Sequence, residues 1–210
     1  MGDTNHPAAG VGLRGKIRRR LSSYARLRIS ETYLYSHDLA VIPTVPADPA
    51  CLVRLLGIDE LALLLEVHPL DLPGLRSRLE RGFACYAAFL DGRIAGYGWA
   101  QPLGKHFLRD VARWREVRPK EFWIYHCRTA PWARGRRAYP FILMRMLEDY
   151  RRQGFERAWI YTGKTNVPSQ KGIERAGFVL RERLPALEVG PLILPLPLRM
   201  LPPPAPTSPS

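Results

Sequence analysis

Residues 128–140 read RTAPWARGRRAYP. Arg128, Arg134, Arg136 and Arg137 share the stretch with Trp132 and Tyr139, and Pro140 closes it. The side chains suggest a basic patch for nucleic acid. The flanks suggest something else. Upstream, EFWIYHCRTA (121–130) is rich in aromatic and β-branched residues and reads as a buried strand. Downstream, Pro140 suits the first turn of a helix, where a missing N–H costs little. Ile142, Leu143, Met146, Leu147 and Tyr150 then carry a helical period, and Gly154 ends it. The stretch thus lies between a strand and a helix N-terminus, where unpaired amides and the helix dipole favour an anion. Three readings compete: a solvated loop, a nucleic-acid patch, and a loop cradling the phosphates of a small cofactor. Only the last explains the position. It is not a Walker loop, since GxxxxGK[ST] is absent, and Gly96-Tyr97-Gly98 lies inside a strand without the third glycine of a dinucleotide fingerprint.

Working outward, ERAWIYT (156–162) reads as a strand and NVPSQKGIERAG (166–177) as a short helix, with Asn166 as N-cap and Gly177 as the stop. FACYAAFLDGRIAGYGWAQPL (83–103) holds two β-rich runs joined by Asp91-Gly92, a hairpin signal. ETYLYSHDLAVIP (31–43) reads as a strand. LVRLLGIDELALLLEV (52–67) and LPGLRSRLERG (72–82) read as helical, and the polar segment 104–120 is expected to include a helix. Last strands are expected in 178–185 and 186–196, and a proline-rich tail follows. Leu13, Ile17, Leu21, Tyr24 and Leu27 fall on one face of an N-terminal helix, after about ten residues read as disordered. The alternation of strands and helices makes a mixed α/β domain.

TAPWARGRRAYPFILMRML, a strand, and then NVPSQKGIERAGF together resemble the acetyl-CoA-binding half of the GNAT N-acetyltransferase superfamily. In that family a strand leads into a Q/R-x-x-G-x-G/A turn whose amides hold the pyrophosphate. An asparagine follows the next strand, with Gly-Phe eleven and twelve residues later, as Asn166, Gly177 and Phe178 stand here. The resemblance covers about residues 30–195, between a basic arm at 1–29 and a tail at 196–210. It implies an α+β sandwich: a mostly antiparallel, twisted sheet with splayed central strands, flanked by helices. It implies acetyl transfer from acetyl-CoA to an amine, with a small-molecule acceptor favoured and no metal expected. Its cofactor contacts fall on Thr129, Arg134, Gly135, Arg136, Arg137, Ala138, Tyr139, Asn166 and Ser169. Backbone N–H groups of strand 122–129 would face the developing oxyanion.

Two departures stand out. Arg137 and Tyr139 occupy turn positions that are usually small, and Ile173 replaces a tyrosine proposed in the family to protonate the leaving thiolate. Tyr161 or a water is the candidate substitute. His126 and Glu121 are the candidate general bases, each with an ordinary reading as a packed or solvated residue. His126 and Cys127 form no dyad, since neighbours on a strand face opposite ways. The acceptor is expected against 52–82 and 103–120, the segments least like the family.

The 210 residues carry a net charge of +13, of which +6 lies in residues 1–30, where seven basic residues oppose Asp3 alone. The segment 11–29 is a candidate contact for an acidic surface or membrane. Two rival functions follow: a GNAT-shaped binding module acting through this arm, or a non-specific nucleic-acid-binding protein. Nucleic acid ranks low, because no recognition motif is present and phosphate contacts alone give only non-specific affinity. Cys51, Cys85 and Cys127 form no CxxC pair, which argues against a disulfide framework and a structural zinc site. No apolar leader and no run of about 18 apolar residues is visible, so the expected location is cytoplasmic.

Overall fold

The computed structural model describes residues 27–43 and 50–197. The N-terminal helix read over Leu13–Leu27 and the contact segment 11–29 lie, up to residue 26, outside the described residues, as does the tail read over 196–210 from residue 198 on. Eight strands form one sheet: β1 (Leu27–Asp38), β2 (Cys51–Leu55), β3 (Ala84–Leu90), β4 (Arg93–Gln101), β7 (Glu121–Thr129), β8 (Arg157–Gly163), β9 (Val179–Val189) and β10 (Leu192–Pro195). Their order is β10-β9-β1-β8-β7-β4-β3-β2. A separate hairpin pairs β5 (Lys105–Leu108) with β6 (Arg113–Glu116).

Every neighbouring pair in the sheet is antiparallel except β7 and β8. These two are parallel because helix α2 (Ala138–Arg152) carries the chain across between them. Their pairing runs from Glu121↔Arg157 to Ile124↔Ile160 and stops there, although β7 continues to Thr129 and β8 to Gly163. The central strands therefore splay, as the resemblance implies.

One face of the sheet receives α2 and α3 (Val167–Arg175). Ile142, Leu143, Met146, Leu147 and Tyr150, the predicted apolar stripe, are buried there with Phe122 and Ile124 of β7. The other face receives α1 (Leu72–Glu80) and a 3-10 segment at Ile58–Glu66, with Leu61, Leu64 and Leu75 against Cys85, Ala87, Tyr97 and Trp99. Leu108 and Val111 of the β5–β6 connection pack on Trp123. Side chains of β7 alternate between these faces, which is the period-2 rule at work.

Asp91 and Gly92 both have positive φ, 52° and 78°, and close the β3–β4 turn as predicted. Three expectations fail. Leu27 begins β1, paired with Val189, instead of ending a helix. Residues 52–67 split into β2 and a 3-10 segment, because Leu61 and Leu64 bury at i, i+3 and so fit a three-residue turn. Residues 104–120 form a hairpin and not an α-helix: His106 and Leu108 are buried while Lys105 and Phe107 are exposed, a period of two. Among the described residues, no helix is long and apolar enough to cross a membrane.

Candidate functional site

The opening stretch becomes a tight turn. Thr129 ends β7, the Ala130 amide donates to the Ala95 carbonyl (2.8 Å), and a 3-10 turn spans Pro131–Ala133. Two contacts pin the turn to the β3–β4 hairpin. Arg93 lies 4.6 Å above the Trp132 ring, and Arg136 reaches Asp91 at 3.3 Å. Gly135 (φ +82°) and Arg137 (φ +60°) both take the left-handed conformation, which reverses the chain into α2. Arg137 is the N-cap of α2 and offers no side-chain cap. As a result, the backbone amides of Gly135, Arg137, Ala138 and Tyr139 donate to no backbone carbonyl in the described residues. A cluster of unused N–H groups at a helix N-terminus suits a phosphate. The donor set fits the pyrophosphate of a CoA thioester.

A cleft of about 570 Å³ adjoins this turn through Arg128 and Tyr139 and runs through the splay. On the α2–α3 side stand Tyr139, Asn166 and Ser169. Asn166 caps α3 by accepting from the Ser169 amide (3.3 Å), as predicted. The edge of the Tyr139 ring meets Gly172, where any Cβ would come within 2.5 Å of it, and its hydroxyl is 3.4 Å from Ser169 Oγ. Ile173 is fully buried in the core. Gly177 (φ +84°) follows the last helical turn, and a Cβ there would strike Pro43 at 2.6 Å.

A β-bulge shapes the middle of the cleft. Tyr97 pairs with Arg128 and Trp99 with Tyr125, so Gly98 alone faces His126 and Cys127. His126 absorbs the extra residue at φ +50°. A Cβ on Gly98 would lie 2.9 Å from Cys127 Sγ and 3.0 Å from Met146 Cε, so only glycine fits. This is the structural use of the glycines in AGYGW. Cys127 faces α2, while His126 faces Tyr97 and Arg78 of α1, and no contact joins the two. Arg78 Nη1 donates to His126 Nδ1 at 2.8 Å. Burial, then Arg78 and Arg128, push the His126 pKa down to about 4. Its Nδ1 lone pair is occupied, which weakens its case as a base.

Tyr125 and Tyr161 are the first residues past the end of the β7–β8 pairing, and the His106 ring is tilted against both, at 5.0 and 5.9 Å. His106 is 5% exposed and stacked on Trp123 at 4.9 Å. Gln101 Nε2 donates to the carbonyls of Leu103 and Lys105, which turns its Oε1 toward His106 Nδ1 (2.8 Å). Nδ1 therefore carries the hydrogen, and Nε2 is a bare acceptor. Nε2 is buried without a partner in a residue that lines the cleft. Burial lowers the His106 pKa to about 4. Tyr161 lines the cleft, its pKa raised by burial and Asp110 and opposed by the Arg109 amide at its hydroxyl. Asp110 is exposed at the cleft edge; partial loss of hydration raises its pKa, and Arg109 opposes that.

Of the residues singled out in the sequence, His126, Tyr139, Tyr161, Asn166 and Ser169 line one cleft. Thr129, Arg134, Gly135, Arg136, Arg137 and Ala138 form the adjoining turn and its flanks. Glu121 is not brought in. It sits at the paired end of β7, where its carboxylate accepts from Trp159 Nε1 (3.0 Å) and meets Arg157 (3.7 Å). His106, Asp110, Arg78 and Arg81 were missed, because only the β5–β6 hairpin and α1 with its C-cap carry them to the splay; Gln101, the last residue of β4, was missed because its role depends on His106. The signal that could have found His106 is its alternation with Phe107 and Leu108.

The family model described as Acetyltransferase (GNAT) family matches residues 59–178, more than half of the chain. No curated protein matches. Among solved structures, the fold is similar to an acetyltransferase of the GNAT family from Novosphingobium aromaticivorans (21% identity, TM-score 0.52, covering 77% of this chain and 65% of that one). It is also similar to a GCN5-related N-acetyltransferase from Sphaerobacter thermophilus (17%, 0.56, 80% and 54%). An acetyltransferase from Colwellia psychrerythraea gives 16%, 0.55, 83% and 61%. The chain thus spans less than two thirds of the length of these structures. With the matched turn, splay and bulge in place, the chain belongs to the GNAT acetyltransferase family.

Proposed function

We propose that the protein transfers the acetyl group of acetyl-CoA to the amine of a small molecule. The observation that carries this reading is the open row of amides at Gly135, Arg137, Ala138 and Tyr139, set beside strands that part at Tyr125 and Tyr161. When bound, the donor supplies an activated thioester. Arg134, Arg136 and Arg137 add positive charge around the amides that would hold its pyrophosphate, and Asn166 and Ser169 would flank its pantetheine chain.

The acceptor amine attacks in its neutral form, and its nitrogen becomes acidic as the new bond forms. His106 Nε2, buried without a partner in a residue that lines the cleft, receives that proton. A base held near 4 is too weak to strip a free ammonium, so it acts during attack and not before it. N–H groups of β7 beyond Ile124 have lost β8 as a partner and can donate to the developing oxyanion. The two departures from the family pattern offset each other. Ile173 brings no hydroxyl, but the Tyr139 hydroxyl stands beside Ser169 of the same helix and serves as proton donor to the leaving thiolate. A thiolate leaving unprotonated at pH 7 would forgo about 2 kcal/mol.

The test is acetyl-CoA-dependent thiol release over a panel of small amines, comparing wild type with His106→Gln. The variant should lose about 100-fold in kcat with an unchanged KM for acetyl-CoA. Thiol release by the wild type that does not depend on any amine would count against the reading.

A further inference from the structure

Five basic side chains line the cleft, Arg78, Arg81, Lys105, Arg109 and Arg128, and Asp110 is the one carboxylate that lines it. Several arginines outside the cleft pair: Arg54 with Glu60, Arg115 with Glu182, and Arg76, on the same helix as Arg78, with Glu80. Among the described residues, Arg78, Arg81, Lys105 and Arg109 make no ion pair. Like charges gathered in a cleft without a counter-ion repel one another, and an anion relieves them.

The two arginines are also held in place. Arg78 spends one N–H on His126 and lies 5.3 and 5.4 Å from the Trp99 and Tyr125 rings. Arg81 donates Nε to the Ser77 carbonyl (3.1 Å) and lies 5.0 Å over Phe83. Each keeps terminal N–H groups in reserve, in the fork geometry that suits a carboxylate or phosphate. The depressed His126 pKa reports the same uncompensated positive field, with Arg78, Arg128 and Arg109 all contributing after burial.

These cations are not the cofactor's cradle. They stand on the α1 and β5–β6 face with Tyr125, His126 and Trp99, whereas the open amides stand at the start of α2 on the opposite face. Arg78 and His106 flank the same Tyr125 ring, so the basic cluster and the bare nitrogen serve one small molecule. We infer that this end of the cleft, through Arg78 and Arg81 with Lys105 and Arg109, binds an anionic group carried by the acceptor amine: a carboxylate or a phosphate. The inference rests on the acetyl-transfer reading for the word acceptor, and the anion site itself is separately testable.

The test follows the His126 imidazole resonances, assigned with His126→Gln, while inorganic phosphate and, separately, acetate are titrated into the CoA-saturated protein. Saturable shifts at millimolar concentration are expected. Arg81→Glu should weaken them at least tenfold, and Arg76→Glu, which lies outside the cleft, should not change them. Tighter phosphate marks a phosphorylated acceptor, and tighter acetate a carboxylate-bearing one. No saturable shift with either anion, or equal shifts in Arg81→Glu, would overturn the inference. A flat calorimetric response to CoA would remove the transfer reading, yet the anion titration would still be read with Arg81→Glu against Arg76→Glu.

Discussion

Gln101 Oε1 lies 2.8 Å from His106 Nδ1, and this contact sets the tautomer of the one buried base at the parting of the strands. Gln101 is held by two carbonyls, so it does not rotate away. Gln101→Leu should free the ring and misplace its lone pair. We expect kcat to fall about tenfold, with the KM for acetyl-CoA unchanged. Steady-state kinetics on any accepted amine check this; a KM effect without a kcat effect would assign Gln101 to binding.

His106 also links stability to pH. Its folded pKa is about 4 against an ordinary value near 6.5. Between these values the unfolded chain takes up a proton that the folded chain refuses, so stability is full above about 6.5 and falls as pH drops toward 4. The full effect for this buried ring is about 3 kcal/mol. His126 acts in the same direction and, being partly solvated, contributes less. Urea unfolding at pH 7 and pH 4.5 should show the loss, and His106→Gln should shrink it.

Arg137 bears the strain of a left-handed backbone at a non-glycine residue. Arg137→Gly should relieve it and raise stability by about 1 kcal/mol. Denaturant midpoints measure this. A lower midpoint would mean that the arginine side chain contributes more than its conformation costs.

Gly98→Ala should do the reverse. Its Cβ would meet Cys127 Sγ and Met146 Cε inside the bulge, and we expect a loss of about 2 kcal/mol or more. Thermal unfolding of the variant provides the check, with Gly163→Ala, which has no positive φ and whose Cβ meets nothing within 4 Å, as the control for replacing a strand glycine without a clash.

Tyr139→Phe tests the proton donor. Removing the hydroxyl should lower kcat by up to about 30-fold, the equivalent of about 2 kcal/mol, while Tyr161→Phe should cost less. Equal small effects would leave the thiolate to water.

Local signals carried much of this structure. The helix after Pro140, the Asp91-Gly92 turn and the Asn166 cap depend on neighbours a few residues away, so pattern alone could place them. The turn at 134–139 was legible because a strand and a helix bracket it. The acceptor side was not. His106 reaches Tyr125 and Tyr161 only through a hairpin whose polar sequence hides its period of two, and Arg78 reaches His126 across 48 residues. Glu121 and His126 share one strand, and sequence could not tell that pairing with β8 ends between them.

The central claim is that the arginine-rich turn holds a CoA thioester. Calorimetric titration of the protein with acetyl-CoA, beside Gly135→Asp, tests it most directly. Micromolar binding by the wild type that the variant loses is the predicted result, since aspartate puts a negative charge beside the open amides. No binding at millimolar acetyl-CoA, in protein shown to be folded, would contradict the account.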